Sequence, residues 1–371
     1  MKLIIIAATL HTYKDEKYFA YSPYVREMDI WSKYVDEVAV LAPLSSSNSL
    51  RAIDSAYYKP INFTEIKSFN ILNAKGVLRT VWVISSILFK IFKTMKKADH
   101  IHLRCPSNVS LLGCFVQILF PKKSKTTKYA GNWDPQSKQP WSYKLQQKIL
   151  SNTFLTRNMK VLAYGEWKDH SKNIVPFISA TYFENEKLPW YERNYNEKLV
   201  FVFIGSMVVG KRPILTIQII ESLITKGINV ELHMFGDGNL IEHAKNYVYE
   251  NNLESKVFIH GNKTKQVVKE ALQKAHFGIL PSKSEGWPKA IAEAMFFGAI
   301  PISTRISCLA WMLDEGKRGI IIEPELESSV NAICKHLDHK DLAAMSRAAQ
   351  EWSQQFTLDT LDLAIKKLLE D

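Results

Sequence analysis

Two glutamates eight residues apart, Glu285 and Glu293, are the side chains of this sequence best placed to do chemistry. Glu285 lies in a glycine-containing loop after the apolar stretch 277–280, and Glu293 lies in an Ala-rich stretch that follows Pro288. A proline at the start of a helix and a glycine such as Gly298 just past its end are expected helix boundaries. The helix N-terminus favours an anion, whereas a buried carboxylate needs a donor such as a sugar hydroxyl. A nucleotide diphospho-sugar offers both groups, although two carboxylates with structural roles would have the same spacing.

The segment that contains both glutamates resembles the Glu-x7-Glu signature of retaining glycosyltransferases of the GT-B fold, of the group 1 (family 4) type. The match includes Pro-Ser ahead of the first glutamate and Gly, Pro and Glu-Ala within the motif. The resemblance implies that Glu293 holds the ribose hydroxyls of the nucleotide and that Glu285 lies beside the donor sugar as a catalytic residue. It also implies donor contacts for the loop that follows Glu285, which consists of Gly286, Trp287, Pro288 and Lys289.

A second glycine-containing loop follows the apolar strand expected at 199–205 and leads into a helix. Lys211 lies at the start of that helix, where an anion would bind. The loop resembles the Gly-Arg…Lys-Gly loop of the same family, which implies that Gly205 and Lys211 contact the donor diphosphate and that Lys211 is catalytic. Ser206 stands where the family has arginine, and Arg212 is the candidate for the missing charge. An exposed Lys-Arg pair with no role in binding is the alternative.

Two further segments follow strands of the same half of the chain. Gly236, in a Gly-Asp-Gly turn, matches a family turn whose first glycine lets the backbone approach the nucleotide. His260 lies at the strand end that resembles the one beside the nucleotide base, and a structural role is the favoured reading for it. The residues at 307–311 depart from the family's Gly-Gly-x-Pro-Glu loop, so no contact with the donor sugar is inferred there.

Polar side chains also follow strands in the first half of the chain, and these are the candidates for the acceptor side. Arg104 follows one strand, and Asn132 and Asp134 follow the next. Asn132 and Asp134 match a His-Asp pair of relatives imperfectly. Arg104 has two readings: it binds an acceptor phosphate or the donor leaving group, or it pairs with Asp134.

Apolar runs alternate with amphipathic stretches along nearly the whole chain, a pattern that predicts βα units and parallel sheets. We therefore expect an α/β protein with two doubly wound, Rossmann-like domains facing each other across a cleft, as in the GT-B fold. The expected divisions are an acceptor-binding domain at 1–180, a linker at 181–197 and a donor-binding domain at 198–352. The resemblance implies that the C-terminal helix, 353–371, packs back on the first domain.

The net charge of +11 is unevenly distributed along the 371 residues. Residues 1–180 hold 26 Lys and Arg against 12 Asp and Glu, whereas the remaining residues hold 22 against 25. A basic first domain predicts contact with an anionic surface or substrate. Helix 77–97, rich in Phe and Lys, is a candidate for lying on an anionic bilayer, and packing against the sheet is the alternative. No stretch reaches the roughly 18–20 uncharged residues of a membrane span, and the apolar start reads as a strand rather than a signal peptide.

The resemblance implies a reaction that moves a sugar from a nucleotide-diphosphate donor, expected to be UDP- or GDP-linked, to a glycan or lipid-linked acceptor, as in the synthesis of cell-surface polysaccharide. No Asp-x-Asp or His-x-x-x-His motif occurs, so we expect no metal and no cofactor, with cationic side chains balancing the diphosphate. Four cysteines without metal-ligand spacing indicate reduced thiols in a cytoplasmic protein. The basic first domain adds the expectation of a peripheral position at the inner face of the cell membrane. The alternatives are a nucleotide-sugar epimerase or hydrolase on the same architecture, and a basic protein that binds nucleic acid or acidic glycan. Nucleic acid is the less favoured partner because the basic clusters lack interleaved aromatic residues.

Overall fold

A computed structural model describes residues 1–51, 53–67, 77–167, 171–339 and 341–370 of the chain. It divides into two units, Met1–Phe177 with the chain from Asp362 onward, and Ile178–Leu361. Each unit is built on a parallel sheet with helices, which confirms the prediction of two doubly wound α/β units. Within the described residues, no helix combines the length and apolarity that a membrane span requires.

The first unit contains a seven-stranded parallel sheet of order β10-β9-β8-β7-β1-β4-β6, and a separate three-stranded antiparallel sheet of order β2-β3-β5. Its strands are β1 (Lys2–Ile6), β2 (Thr12–Lys14), β3 (Lys17–Tyr21), β4 (Glu37–Pro43), β5 (Asp54–Ala56), β6 (Asn62–Ile66), β7 (His100–Cys105), β8 (Ser124–Tyr129), β9 (Met159–Tyr164) and β10 (Ile174–Phe177). Its helices are α1 (Ser22–Ser32), α2 (Val77–Lys96), α3 (Asn108–Val116) and α4 (Trp141–Leu150). The central strand β1 is almost fully apolar because helices cover parallel sheets on both faces.

The second unit contains a six-stranded parallel sheet of order β13-β12-β11-β14-β15-β16. Its strands are β11 (Leu199–Ile204), β12 (Val230–Phe235), β13 (Val257–Gly261), β14 (Phe277–Leu280), β15 (Ile300–Thr304) and β16 (Ile320–Ile322). Its helices are α5 (Pro213–Thr225), α6 (Ile241–Glu250), α7 (Lys265–Lys274), α8 (Lys289–Phe296), α9 (Leu309–Met312), α10 (Leu326–His339) and α11 (Leu342–Ser353), and α12 (Leu358–Glu370) ends the described chain. The order of strands reverses between β11 and β14, and ligands of open α/β sheets bind at such a switch point.

The segment predicted as a linker, 181–197, is held against the second unit by polar contacts. The Arg193 guanidinium is buried and donates to the carbonyl oxygens of Phe297 at 2.5 Å and Gly298 at 3.0 Å. Gly298, two residues past the end of α8, has a φ of +76°, and a Cβ there would lie 2.8 Å from Nη1 of Arg193. Residues from Asp362 belong instead to the first unit, where Asp362 forms an ion pair with Lys33 at 3.3 Å. Asp371, in the predicted C-terminal helix, lies outside the described residues.

Candidate functional site

Two loops at the switch point of the second sheet bring the predicted donor residues together. The first loop connects β11 to α5, and the second connects β14 to α8, and β11 and β14 are neighbours in the sheet. The backbone N–H of Lys283 donates to the carbonyl oxygen of Gly210 at 2.8 Å, so the two loops touch directly. Both helices therefore begin at the same edge of the sheet, where their N-terminal N–H groups favour an anion.

Lys211 and Glu285, which are 74 residues apart in the chain, form an ion pair across these two loops. The Lys211 side chain is 26% exposed and the Glu285 side chain 11% exposed, so both are accessible to a small ligand but largely shielded from water. Charge interactions are stronger in such an environment than on an open surface. The two residues predicted to be catalytic thus meet in one charged cluster.

Arg212, in the first loop, is hydrogen-bonded to the second loop. It adopts left-handed backbone geometry, with a φ of +52°, immediately before Pro213 begins α5. Its Nη1 donates to the carbonyl oxygens of Pro281 at 2.9 Å and Ser282 at 3.1 Å. The carbonyl of Ser282 also accepts from the Thr304 hydroxyl at 2.6 Å. This guanidinium positions the Glu285 loop, in addition to placing a positive charge near Lys211.

Gly236 and Gly238 are required by the loop after β11. A Cβ at Gly236, where φ is +135°, would overlap the carbonyl oxygen of Gly205. A Cβ at Gly238 would lie 2.5 Å from the carbonyl oxygen of Met207. At Gly205 itself, a Cβ would make only ordinary contacts with the side chains of Leu280 and Phe203, each at 3.5 Å. The turn residue is therefore glycine because a neighbouring loop crosses it, a reason that the sequence resemblance did not include.

We expect Gly236→Ala to lower the melting temperature by at least about 4 °C, because the backbone of one of the two loops must move to accept the methyl group. Gly210→Ala is the matched control, since a Cβ at Gly210 would meet no heavy atom within 4 Å. It should melt within about 1 °C of the parent protein. Equal melting temperatures of the two variants, measured by thermal unfolding, would contradict the packing described for Gly236.

Glu293 lies in α8 and is half-buried. Its Oε1 accepts from the Thr181 hydroxyl at 2.8 Å. Both residues line a small cavity together with Ser179 and Trp287. Thr181 lies in the segment predicted as a linker, so the sequence carried no signal that it contacts the second glutamate.

The loop that joins Glu285 to α8 is anchored by an aromatic cluster. Trp287 is buried and packs against three rings, those of Trp352 at 6.3 Å, Phe356 at 5.9 Å and Trp311 at 6.5 Å between centroids. The Trp287 side chain therefore belongs to the core, and its predicted donor contact would come from its backbone.

Helix α8 begins at Lys289, one residue later than expected, and Pro288 is the cap residue before it. Gly286 lies between Glu285 and Trp287.

The segment at 307–311, which departs from the family pattern, lies against this same loop. The Ser307 hydroxyl donates to the carbonyl oxygen of Gly286 at 3.1 Å, and the Cys308 thiol lies 3.5 Å from that oxygen. Burial raises the pKa of Cys308 to about 12, and the nearby Glu285 carboxylate adds to that shift. No local pattern in the sequence points to these two side chains as neighbours of the Glu285 loop.

Arg104 at the end of β7 pairs with Glu27 of α1 rather than with Asp134. Its Nη1 donates to one carboxylate oxygen of Glu27 at 2.6 Å, and Lys128 Nζ donates to the other at 2.9 Å. Burial alone would raise the pKa of Glu27, but Arg104 and Lys128 lower it to about 2. Burial lowers the pKa of Lys128 to about 8 despite the carboxylate. Of the two readings of Arg104, the one that pairs it with Asp134 is therefore wrong, and the cluster holds two cations and one anion.

Asn132 and Asp134 form a local turn after β8. The Asn132 side chain accepts from the N–H of Asp134 at 2.9 Å, and the Asp134 carboxylate accepts from the N–H of Gln136 at 2.9 Å. Both side chains thus help to order the turn. In the part of the chain that the structure describes, no three His, Cys, Asp or Glu side chains are grouped to bind a metal ion.

Comparison with known proteins finds a family match within the second unit. Residues 184–352 match the family described as glycosyl transferases group 1. An uncharacterized glycosyltransferase of Methanocaldococcus jannaschii, MJ1178, is 26% identical over 189 residues, which cover 50% of this chain and 51% of that protein. The UDP-Gal:alpha-D-GlcNAc-diphosphoundecaprenol alpha-1,3-galactosyltransferase of Escherichia coli is 27% identical over 166 residues, covering 44% and 42%. The chain thus spans about half the length of these two relatives.

The whole chain resembles solved structures in its fold. The apo form of the lipopolysaccharide outer core galactosyltransferase WaaB superposes with a TM-score of 0.68 at 14% identity, covering 100% of this chain and 99% of that one. Residues 184–352 are thus similar to glycosyl transferases group 1, and the two parallel-sheet units of the chain have the GT-B fold.

Proposed function

We propose that the protein transfers a sugar from a nucleotide-diphosphate sugar to a glycan or lipid-linked glycan, with retention of anomeric configuration. The observation that carries the proposal is the Lys211–Glu285 ion pair, which lies at the switch point of the second sheet. This sheet belongs to the unit that contains the match to glycosyl transferases group 1. A cation and a carboxylate meet there beside two helix N-termini, an arrangement suited to a ligand with an anionic part and a hydroxyl-rich part.

Binding of the donor diphosphate would break the ion pair between Lys211 and Glu285. The Lys211 ammonium group would then form an ion pair with the diphosphate, and the released Glu285 carboxylate would face the sugar. Negative charge grows on the leaving diphosphate as the bond to the anomeric carbon breaks, and Lys211 with the N-termini of α5 and α8 stabilises it. A preorganised group of this kind contributes on the order of 3 kcal/mol to the transition state. The positive charge that develops on the sugar is stabilised by Glu285.

Glu293 would bind the ribose hydroxyls from α8, and Gly205, Ser206 and Gly236 would line the path of the diphosphate. The similar Escherichia coli enzyme is named for UDP-Gal, which supports a UDP-linked donor here, with a GDP-linked donor as the second choice. We propose no metal and no organic cofactor for this reaction, because Lys211 and the helix N-termini supply the positive charge.

The acceptor side is proposed to lie in the first unit, which carries most of the positive charge of the chain. The Glu27–Arg104–Lys128 cluster is buried and has one more cation than anion, so it would attract a phosphate group of a lipid-linked acceptor. Asn132 and Asp134 would contact acceptor hydroxyls from the turn after β8. The same Escherichia coli relative is named for a diphosphoundecaprenol-linked acceptor, which supports this class.

Thermal unfolding with UDP, GDP, ADP and CDP tests the donor class. A nucleotide at 100 times its dissociation constant should add about 2.7 kcal/mol of apparent stability. We expect UDP to raise the melting temperature most, and its sugar conjugates to behave alike. A radiolabelled donor should then deliver label to a larger glycan. Label that appears only in free or isomerised sugar would instead indicate a hydrolase or an epimerase, and no shift with any nucleotide would refute the proposal.

A further inference from the structure

We propose that the first unit docks on an anionic lipid bilayer through one continuous surface made of three separate chain segments. The surface, called the basic aromatic patch below, combines exposed apolar side chains with cations. Its apolar members are Phe89, Phe92, Phe115, Leu119 and Phe154, and its cationic members are Lys93, Lys96, Lys122, Lys123 and Arg157.

The first segment is the C-terminal half of α2. Ile87, Ile91 and Met95 are buried and hold this helix on the sheet, whereas Phe89 is 66% exposed on the outer face. Phe92, one turn further on, is 38% exposed. A helix that only covered a sheet would be expected to carry polar side chains at these outer positions. The outer face of α2 is instead aromatic and then basic, because Lys93 and Lys96 follow in its last turn.

The second segment, residues 115–123, continues the apolar surface from α2. The Phe92 ring packs on that of Phe120 with 5.4 Å between centroids. Lys123 Nζ donates to the carbonyl oxygen of Lys96 at 2.8 Å, which ties the end of this segment to the end of α2. Leu119, next to Phe120, is 64% exposed.

The third segment, residues 153–158, borders the second. The Gln117 side chain donates to the carbonyl oxygen of Leu155 at 3.1 Å, and the Asn158 side chain donates to that of Pro121 at 3.1 Å. Phe154 is 70% exposed, and the Arg157 guanidinium lies 4.4 Å from its ring centroid. Aromatic rings beside cations suit the boundary between lipid headgroups and acyl chains.

The charge around the patch selects an anionic partner. From residue 77 to residue 160, the sequence holds 15 Lys and Arg against two acidic residues, Asp99 and Asp134. The Asp134 carboxylate orders the turn after β8, and the Asp99 carboxylate accepts from the N–H of Lys2 at 2.7 Å. An anionic bilayer attracts such a surface, with about a fivefold gain in affinity for each Lys or Arg near the lipid.

Two cationic cavities flank the patch and share residues with it. One, of about 600 Å³, lies at the N-terminal ends of β8 and β9 and is lined in part by Lys125, Arg157, Lys160 and Lys172. The other, of about 650 Å³, is lined in part by Lys90, Lys93 and Lys97. The described lining of each cavity contains no Asp or Glu. Phosphate headgroups at the edge of the docked surface would fit these cavities.

Cosedimentation of the full chain with vesicles tests the proposal, and it does not depend on the proposed reaction. The vesicles contain either phosphatidylcholine alone or phosphatidylcholine with about 30% of the anionic lipid phosphatidylglycerol. We expect at least about tenfold tighter binding to the anionic vesicles, weakened by added salt. Lys93→Gln/Lys96→Gln/Arg157→Gln should bind on the order of 100-fold more weakly, and Phe89→Ser/Phe154→Ser at least about tenfold more weakly.

A matched control removes an exposed ring and an exposed lysine from the second unit. Tyr249, which is 73% exposed, and the exposed Lys335 are the residues changed. Tyr249→Ser/Lys335→Gln should bind the anionic vesicles within about twofold of the parent protein. Circular dichroism melting of every variant separates loss of binding from loss of fold. Failure of the parent protein to bind anionic vesicles, or an equal loss in the control, would overturn the proposal. So would a dimer of the parent protein that the patch variants dissociate, because the patch would then join two copies of the chain.

Discussion

Replacing Lys211 with alanine is expected to lower kcat/KM for the sugar donor by at least about 100-fold. Lys211 is the cation at the start of α5, and it contacts the carboxylate of Glu285 from the neighbouring loop. Its removal takes away charge that stabilises the departing diphosphate and leaves a largely buried carboxylate without that partner. The measurement is the initial rate of label transfer from a radiolabelled donor at several donor concentrations.

Lys226→Ala is the matched control for this prediction. Lys226 is an exposed lysine that caps the other end of the same helix, α5, so the variant removes the same charge from the same element. We expect its kcat/KM within about twofold of the parent protein. A Lys211→Ala/Glu285→Ala variant that melts like the parent and stays inactive would separate lost chemistry from lost stability. If Lys211→Ala stays within about threefold of the parent rate, Lys211 does not act on the donor.

Glu293→Ala is the second large effect, with an expected loss of at least about 100-fold in kcat/KM and a matching loss of nucleotide affinity. A half-buried carboxylate that binds two ribose hydroxyls would make charge-assisted hydrogen bonds, which are stronger than neutral ones. Titration calorimetry with UDP measures the binding part, and the labelled-donor assay measures the rate.

Thr181→Ala separates ligand binding from a structural role of Glu293. The Thr181 hydroxyl donates to Glu293 at 2.8 Å, so Thr181→Ala removes this bond and leaves the carboxylate in place. Its loss should cost about 1 kcal/mol of stability, with UDP affinity within about threefold of the parent. If Thr181→Ala weakens UDP binding as much as Glu293→Ala does, the contact between these residues, and not the nucleotide, explains both results.

Most of the parallel strands were predictable because they are short apolar runs between helical stretches, such as Leu199–Ile204. The polar β8 and the short β10 show this pattern less clearly. The small antiparallel sheet of the first unit was not. Its hairpin turns at Asp15 and Glu16, whose φ values are +48° and +59°, without the Gly or Asn-Gly signal that such turns usually show. A turn built from two acidic residues looks like any exposed loop in a sequence.

The two donor loops could be predicted from the sequence, because each contains a local motif, one around Lys211 and one around Glu285. Long-range partners had no such signature. Glu27 precedes Arg104 by 77 residues, and only the packing of α1 beside the end of β7 explains their contact. The aromatic cluster around Trp287 likewise gathers rings from distant parts of the chain, which no local pattern announces. The residues proposed to contact the donor could therefore be predicted from local motifs. The distant residues that position them became known only from the structure.

A crystal structure of the protein with UDP is the most direct measurement of the central claim, that the second unit binds a nucleotide diphosphate between the β11 and β14 loops. We expect the diphosphate within hydrogen-bonding distance of Lys211 and the ribose hydroxyls on the Glu293 carboxylate. We also expect the Lys211–Glu285 ion pair to open. A nucleotide bound away from this switch point, with that ion pair intact, would contradict the account.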